Sequence, residues 1–324
     1  MHKKLLNEAN FTLVISVKGP LLIKSGLEGW DPTIPDMQFV RTRHATLGET
    51  VYIPGSSIKG PIRAYAEKIA NTLGVFCCDL FDKNASCGAS EEIRDLATRG
   101  NTAAVYKESC TACKIFGSTN LAGRAAFQDA YPTAEINTAT QLTKRTAVAI
   151  DRILGSVAQG PFDFEALIAG DLRTCIRLRN FELWQLGLLG LALRDLCLGR
   201  IRIGYGKSRG FGDISARIEK LELRSVLDDG ITATPDGFAV KGVGAMTTDE
   251  QERCRYGLEE PDQSTVKVTG PTRPIDELIG KTLVFEHLAD SAEWCDPDAQ
   301  HLFAECVRTA WKAYRARPTG GRHD

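Results

Sequence analysis

No stretch of this chain is both long and apolar enough to cross a bilayer. The most apolar segment, Leu183 to Leu198, is interrupted by Gln185, Arg194 and Asp195 and falls short of the roughly 20 residues a spanning helix needs. Near the N-terminus, Phe11 to Val17 is β-branched, short and broken by Thr12 and Ser16, which is a strand pattern and not a secretory signal. A cytoplasmic protein with no membrane partner is the expectation. Internal repeats and low-complexity segments are absent, which excludes solenoids and long disordered linkers. Neither common nucleotide fingerprint is complete. Gly206-Lys207-Ser208 has Ile201 where a Walker A loop needs glycine, and Gly204-x-Gly206 has Arg209 where a dinucleotide loop needs its third.

What is present is the composition of an ordinary globular protein, and 324 residues can bury a substantial core as one large domain or two smaller ones. The net charge of −1 hides an asymmetry. Residues 1–220 hold 28 Lys and Arg against 22 Asp and Glu, whereas residues 221–324 hold 12 against 19. A basic body with an acidic tail suits a polyanion partner on the first part, and equally the chance variation of solvated faces.

Ten cysteines without an export signal argue against a disulfide framework. Cys175, Cys197, Cys254, Cys295 and Cys306 are scattered and read as core or surface thiols. Cys77, Cys78, Cys87, Cys110 and Cys113 are clustered. Cys110-Thr111-Ala112-Cys113 lets two sulfurs reach one metal, and with Cys87 and one of the adjacent pair, for which Cys78 is preferred, it makes a tetrahedral set for structural zinc. The alternative is metal-free buried cysteines. A redox pair would want a thioredoxin-like βαβ setting, which the flanking sequence does not provide.

Along the chain, residues 10–24 read as a strand broken at Gly19-Pro20, and residues 25–50 as a long loop carrying Trp30, Asp31, Asp36, Arg41, Arg43 and His44. The run Val51-Tyr52-Ile53-Pro54-Gly55-Ser56-Ser57 then opens a helix, with Ile58, Ile62, Tyr65, Ile69 and Leu73 at helical spacing and Gly74 as its stop. Free N–H groups at such a start, with the hydroxyls of Ser56 and Ser57 and the charges of Lys59 and Arg63, make a phosphate seat; the bland alternative is a serine-capped helix. An irregular segment, 74–120, holds the cysteines. Residues 122–130 suggest a strand. Residues 137–165 suit a protruding hairpin bearing Lys144, Arg145 and Arg152. Residues 171–179 alternate Leu172, Ile176 and Leu178 with Arg173, Arg177 and Arg179, and Phe181 to Leu198 reads as a buried helix. The turn Gly204 to Asp213 offers close backbone approach, Lys207 and Arg209 for charge, and Tyr205 or Phe211 for stacking. A tight turn between two strands is the competing reading. Beyond residue 221 the signals fade, leaving a loop or hairpin region near 228–237 and a helix from Leu302 to Tyr314.

Three of these elements, in this order, resemble the RAMP superfamily of CRISPR-associated proteins, and in particular the backbone subunits of type III and type IV effector complexes. They are Pro54-Gly55-Ser56-Ser57-Ile58-Lys59-Gly60, then Cys110-x-x-Cys113-x-Ile115-Phe116-Gly117-Ser118 with Ala122-Gly123-Arg124, then the turn from Gly204 to Asp213. The resemblance implies an α+β fold with a ferredoxin-like (RRM-like) βαββαβ core over residues 1–220 and a thumb at 137–165; residues 221–324, outside it, are expected to pack on the core as an extension to which the sequence assigns no role. It implies copies stacked head to tail as a filament along a guide RNA (crRNA), with other CRISPR effector subunits, and a target RNA or DNA recognised by base pairing. In type III relatives an aspartate before the Pro-Gly-Ser-Ser motif is associated with cleaving target RNA. Asp36 is the best-placed counterpart, Asp31 the second, and a divalent metal or His44 would help it activate the 2′-hydroxyl. Three functions are therefore carried forward: a guide-RNA-binding scaffold, a target-RNA endoribonuclease using Asp36, and a zinc-stapled protein-interaction module.

Overall fold

The computed structural model describes residues 4–26, 35–82, 86–247, 249–258, 265–269, 275–276, 280–286 and 297–315. Trp30, Asp31, Cys295 and the C-terminal tail lie outside the described residues. The chain opens with β1 (Asn7–Val17), followed by a hairpin of β2 (Arg41–His44) and β3 (Gly48–Val51) and by α1 (Gly55–Thr72). Three short helices come next, α2 (Glu91–Thr98), α3 (Thr102–Glu108) and α4 (Thr111–Phe116). β4 (Ala125–Phe127) and β5 (Tyr131–Pro132) lead through one helical turn, α5 (Thr138–Gln141), into a long hairpin of β6 (Leu142–Ile150) and β7 (Val157–Leu167). Then follow β8 (Asp171–Arg179), α6 (Leu183–Cys197) and β9 (Ile214–Ser225). The C-terminal part holds β10 (Ile231–Thr234), β11 (Gly237–Lys241), α7 (Val243–Met246), α8 (Glu250–Arg255), β12 (Thr265–Thr269), β13 (Ile275–Asp276), β14 (Lys281–Glu286), α9 (Pro297–Glu305), a π-helical stretch (Cys306–Trp311) and α10 (Lys312–Arg315).

The main sheet runs β13-β14-β9-β1-β8-β4, with β5 also on β8, and every pairing in it is antiparallel. Period-2 burial makes this sheet one-sided. In β8, Leu172, Thr174, Ile176 and Leu178 are buried, whereas Arg173, Arg177 and Arg179 stand on the open face. α1 and α6 pack against each other and against the sheet. α1 buries Ile58, Ile62, Ala66 and Ala70, one stripe at helical spacing, and stops at Gly74 in the left-handed region. α6 is buried on nearly every face because the C-terminal helix covers the side the sheet leaves open. Gly187 and Gly190 permit that approach: a Cβ on Gly190 would meet the Phe303 ring at 2.5 Å. Trp184 stacks on Tyr314 with ring centroids 3.9 Å apart.

Two regions are more ordered than their sequence suggests. The expected loop of residues 25–50 contains nearly all of the β2–β3 hairpin, whose residues are polar on both faces up to Val51 and so carry no apolar alternation to read. The expected irregular segment 74–120 contains α2, α3 and α4, capped by Ser90, Asn101 and Cys110. Each spans too few residues for a 3.6-residue period to emerge. β9 crosses residue 220 without interruption, and β14 pairs along it, so a strand from the C-terminal stretch extends the main sheet.

Candidate metal centre and nucleic-acid interface

Four buried cysteines, Cys78, Cys87, Cys110 and Cys113, bring their sulfurs within 4.8 Å of one another. The Cys78 Sγ lies 3.6 Å from that of Cys110 and 3.7 Å from that of Cys113. A tetrahedron with Zn–S bonds of about 2.3 Å has edges of ~3.8 Å, so these residues fit a structural zinc ion. Cys77 is buried beside them but is not one of the four. The ligands come from the segment after α1, from the turn before α2 and from the first turn of α4, and a metal would tie these three pieces together.

The thiols are coupled: hydrogen bonds with Cys113, Cys77, Cys78 and Cys87 lower the Cys110 pKa, and the bonding to Cys110 together with burial raises those of Cys77, Cys87 and Cys113. The Cys110 N–H donates to Cys87 Sγ at 3.2 Å, and the Cys113 N–H to Cys110 Sγ at 3.4 Å. Arg63 reaches in from α1. Its Nη2 donates to Cys113 Sγ at 3.2 Å, its Nη1 to the Gly117 carbonyl at 2.8 Å and its Nε to Glu67 at 2.8 Å. Burial alone would depress the Arg63 pKa, but the Glu67 bond and the Cys113 sulfur more than offset it and leave it raised. Gly117 has φ 86°, and a Cβ there would lie 2.6 Å from the Gly123 nitrogen. The Phe116-Gly117 and Gly123 backbones therefore pack without side chains between them.

At the start of α1, the Gly55 N–H donates to the Asp129 carboxylate at 2.7 Å. One anion of the protein already occupies part of the expected phosphate seat, and sequence gave no sign of it because the two residues are far apart in the chain. Ser56 is exposed, and Ser57 and Lys59 are half-buried. Burial first, and neighbouring Arg63 second, hold the Lys59 pKa below the usual lysine value. Among the described residues no carboxylate forms an ion pair with Lys59. An incoming phosphate would relieve that cost.

The glycine turn is pinned to the segment that continues β1. The Tyr205 N–H donates to the Leu22 carbonyl at 2.8 Å and the Gly212 N–H to that of Pro20 at 2.8 Å. The Val40 N–H donates to the Ile23 carbonyl at 2.9 Å, and Arg41 pairs with Val51 across β2–β3, two residues before Ile53 bridges Ala130. A continuous relay of backbone bonds thus links the glycine turn to the start of α1. Gly212 has φ 79°, and a Cβ there would fall 2.1 Å from the Ile203 carbonyl.

The β6–β7 hairpin pairs only with itself along its outer length and ends in exposed Ile153 and Leu154. Its base is built into the site. Phe164 lies 6.1 Å from the Tyr205 ring and 6.0 Å from the Phe211 ring, and Arg145 sits over Phe211 at 6.0 Å. Arg209 sits over Tyr205 at 5.9 Å. Asp36 accepts the Asp163 N–H at 2.9 Å, and the Glu165 N–H donates to the Met37 carbonyl at 2.9 Å. Lys144 bonds to Asp163 at 2.6 Å and, with Thr146, holds that carboxyl below its usual range.

The sequence-predicted residues therefore divide. Arg63 belongs to the cysteine cluster, Arg41 is paired with Glu165 at 2.6 Å and Lys144 with Asp163. Arg43, Lys59, Arg145, Arg152, Lys207 and Arg209 form no ion pair with a carboxylate among the described residues, and Arg152 lies at the exposed tip of the β6–β7 hairpin. His44 packs at a tilt on Tyr131 with ring centroids 4.7 Å apart, and its Nδ1 lies 3.1 Å from the Thr46 hydroxyl. Phe164, Asp129 and Tyr131 were not expected at the site. No helix among the described residues is long and apolar enough to cross a membrane. No curated protein matches the chain. A family model described as the RAMP superfamily matches residues 14–215. That span includes the start of α1, the cysteine cluster and the glycine turn, so the chain belongs to the RAMP superfamily, whose membership points to a CRISPR-associated RNA-binding role.

Proposed function

We propose that this protein is a guide-RNA-binding backbone subunit of a type III or type IV CRISPR effector complex, built on a ferredoxin-like core with residues 221–324 as its extension. The core reading is supported by the order β9-β1-β8-β4, all antiparallel, with α1 and α6 as the two crossover helices. One observation carries the functional reading. The helix start, the glycine turn and the base of the β6–β7 hairpin are joined by one run of backbone bonds, and Arg43, Lys59, Arg145, Lys207 and Arg209, carried on these elements, form no ion pair with a carboxylate among the described residues. Such a track neutralises a sugar–phosphate strand without reading its bases, and stacking on Tyr205 or Phe211 is tolerant of sequence. The β6–β7 hairpin is the thumb in this reading, and copies of the chain follow one another along the guide with other effector subunits at its ends.

The test is to purify the protein from its native host and sequence the RNA that accompanies it, then to measure affinity for unrelated guides across a salt series. Repeat-derived guides in a length ladder and a steep, sequence-indifferent salt dependence are expected. Protein that carries no RNA and binds none at low salt would leave the protein-interaction module as the better reading. Target cleavage by Asp36 is a second reading, favoured by one feature: its exposed carboxylate is fixed at the thumb base by the Asp163 N–H.

A further inference from the structure

A zinc ion held by four thiolates carries a net charge of −2, and the set that fits it here is buried. Charge of that size away from water is unfavourable unless donors and a cation surround it. Two backbone N–H groups supply part of the answer, from Cys110 and Cys113. Arg63 is the one guanidinium bonded to a sulfur of the set among the described residues, at 3.2 Å, and its side chain is only 11% exposed. Its other two bonds, to Gly117 and Glu67, fix the fork so that Nη2 has no freedom to turn away.

We propose that Arg63 is the outer-sphere positioning residue of the metal centre: it compensates the charge of the tetrathiolate and locks α1, one turn below Lys59, onto it. This rests on the metal reading of the four cysteines. Glu67 opposes it. That carboxylate accepts from Arg63 Nε at 2.8 Å, so its negative charge shares the guanidinium that bonds Cys113 Sγ at 3.2 Å. The two partners of one ion pair therefore act on the metal in opposite directions. A merely structural salt bridge would not behave this way.

The experiment measures zinc affinity of the full chain by competition with a chromophoric chelator, and cobalt substitution confirms four thiolate ligands through the sulfur-to-metal charge-transfer band. Loss of an outer-sphere partner costs 10–100-fold in metal affinity, so Arg63→Gln is expected to weaken zinc by about tenfold or more. Arg63→Lys, which keeps the charge and loses the fork, is expected to fall between it and the parent. Glu67→Gln is expected to bind zinc as tightly as the parent or more so. Arg63→Gln within threefold of the parent overturns the proposal, and so does a matching loss in Glu67→Gln. Should Arg63→Gln fail to fold, Glu67→Gln decides alone: affinity held or raised stands with the proposal, and a clear loss overturns it. A parent chain that binds neither zinc nor cobalt overturns the metal reading itself, which is a different result from unequal variants of a chain that does bind.

Discussion

Asp36 and Asp163 meet across the base of the β6–β7 hairpin, the carboxylate of the first accepting the backbone N–H of the second at 2.9 Å. The bond gives Asp36 a structural role beside any chemical one, so Asp36→Ala by itself is ambiguous. Asp36→Asn keeps an acceptor oxygen and removes the base. If Asp36 activates the 2′-hydroxyl of a target strand, Asp36→Asn should lower single-turnover cleavage by about 10²-fold or more while guide affinity stays within threefold. Equal cleavage by Asp36→Asn and the parent would remove Asp36 from the chemistry.

The cations without a carboxylate partner among the described residues make a separable prediction. Each phosphate contact on a single strand contributes about 0.7 to the slope of log affinity against log salt. Lys59→Ala and Arg209→Ala should each flatten that slope by about this amount and weaken guide binding several-fold, alike for unrelated sequences. Fluorescence anisotropy over a salt series is the measurement. Slopes identical to the parent in both variants would show that the strand runs elsewhere.

If the four thiolates hold zinc, stripping it should be felt well beyond the cysteines. The four ligands join three chain segments, and α2 to α4 have little core of their own apart from Ile93, Val105, Tyr106 and the α4 residues. Chelation, or Cys113→Ser, is expected to lower the melting temperature by about 5–10 °C, which corresponds to a few kcal/mol for a domain of this size. Limited proteolysis should then cut first between residues 75 and 117. Resistance there after complete chelation would show that packing alone holds the segment.

How much of this was readable beforehand follows from where each signal lies. The α1 stripe of Ile58 and Ile62, the alternation of β8 and the apolar α6 are local patterns with a period, and each element came out close to where its pattern lies. The choice of Cys78 over Cys77 had no such pattern; both thiols lie against Cys110, and only the fold decides which sulfur comes within reach of all the other three. Likewise Asp129 capping Gly55 and Arg63 turning to Cys113 join residues far apart in the chain. Charge counting assigned Arg63, Arg41 and Lys144 to a ligand because sequence does not display the carboxylates and sulfur that engage them.

Glu8 supplies a prediction in pH. It lies at the edge of the open sheet face, its side chain only 10% exposed, 2.8 Å from Arg179 and 3.7 Å from Arg177. Burial by itself would raise its pKa, but hydrogen bonds from Arg179 and Asn10 and the charge of Arg177 outweigh it and hold the carboxyl below its ordinary value of 4.5. The folded state thus keeps Glu8 ionised at a pH where the unfolded chain is already protonated. Its contribution is fully present above the unfolded value and is lost as pH falls through the lower, folded one. With both arginines partly solvated, the loss on Glu8→Gln at neutral pH is expected to be only about 1 kcal/mol. Urea unfolding of parent and Glu8→Gln should therefore give two parallel curves above pH 5.5 or so that converge as pH drops below about 4.5. A gap that stays constant into strong acid would mean that the loss comes from packing and not from the carboxylate's charge.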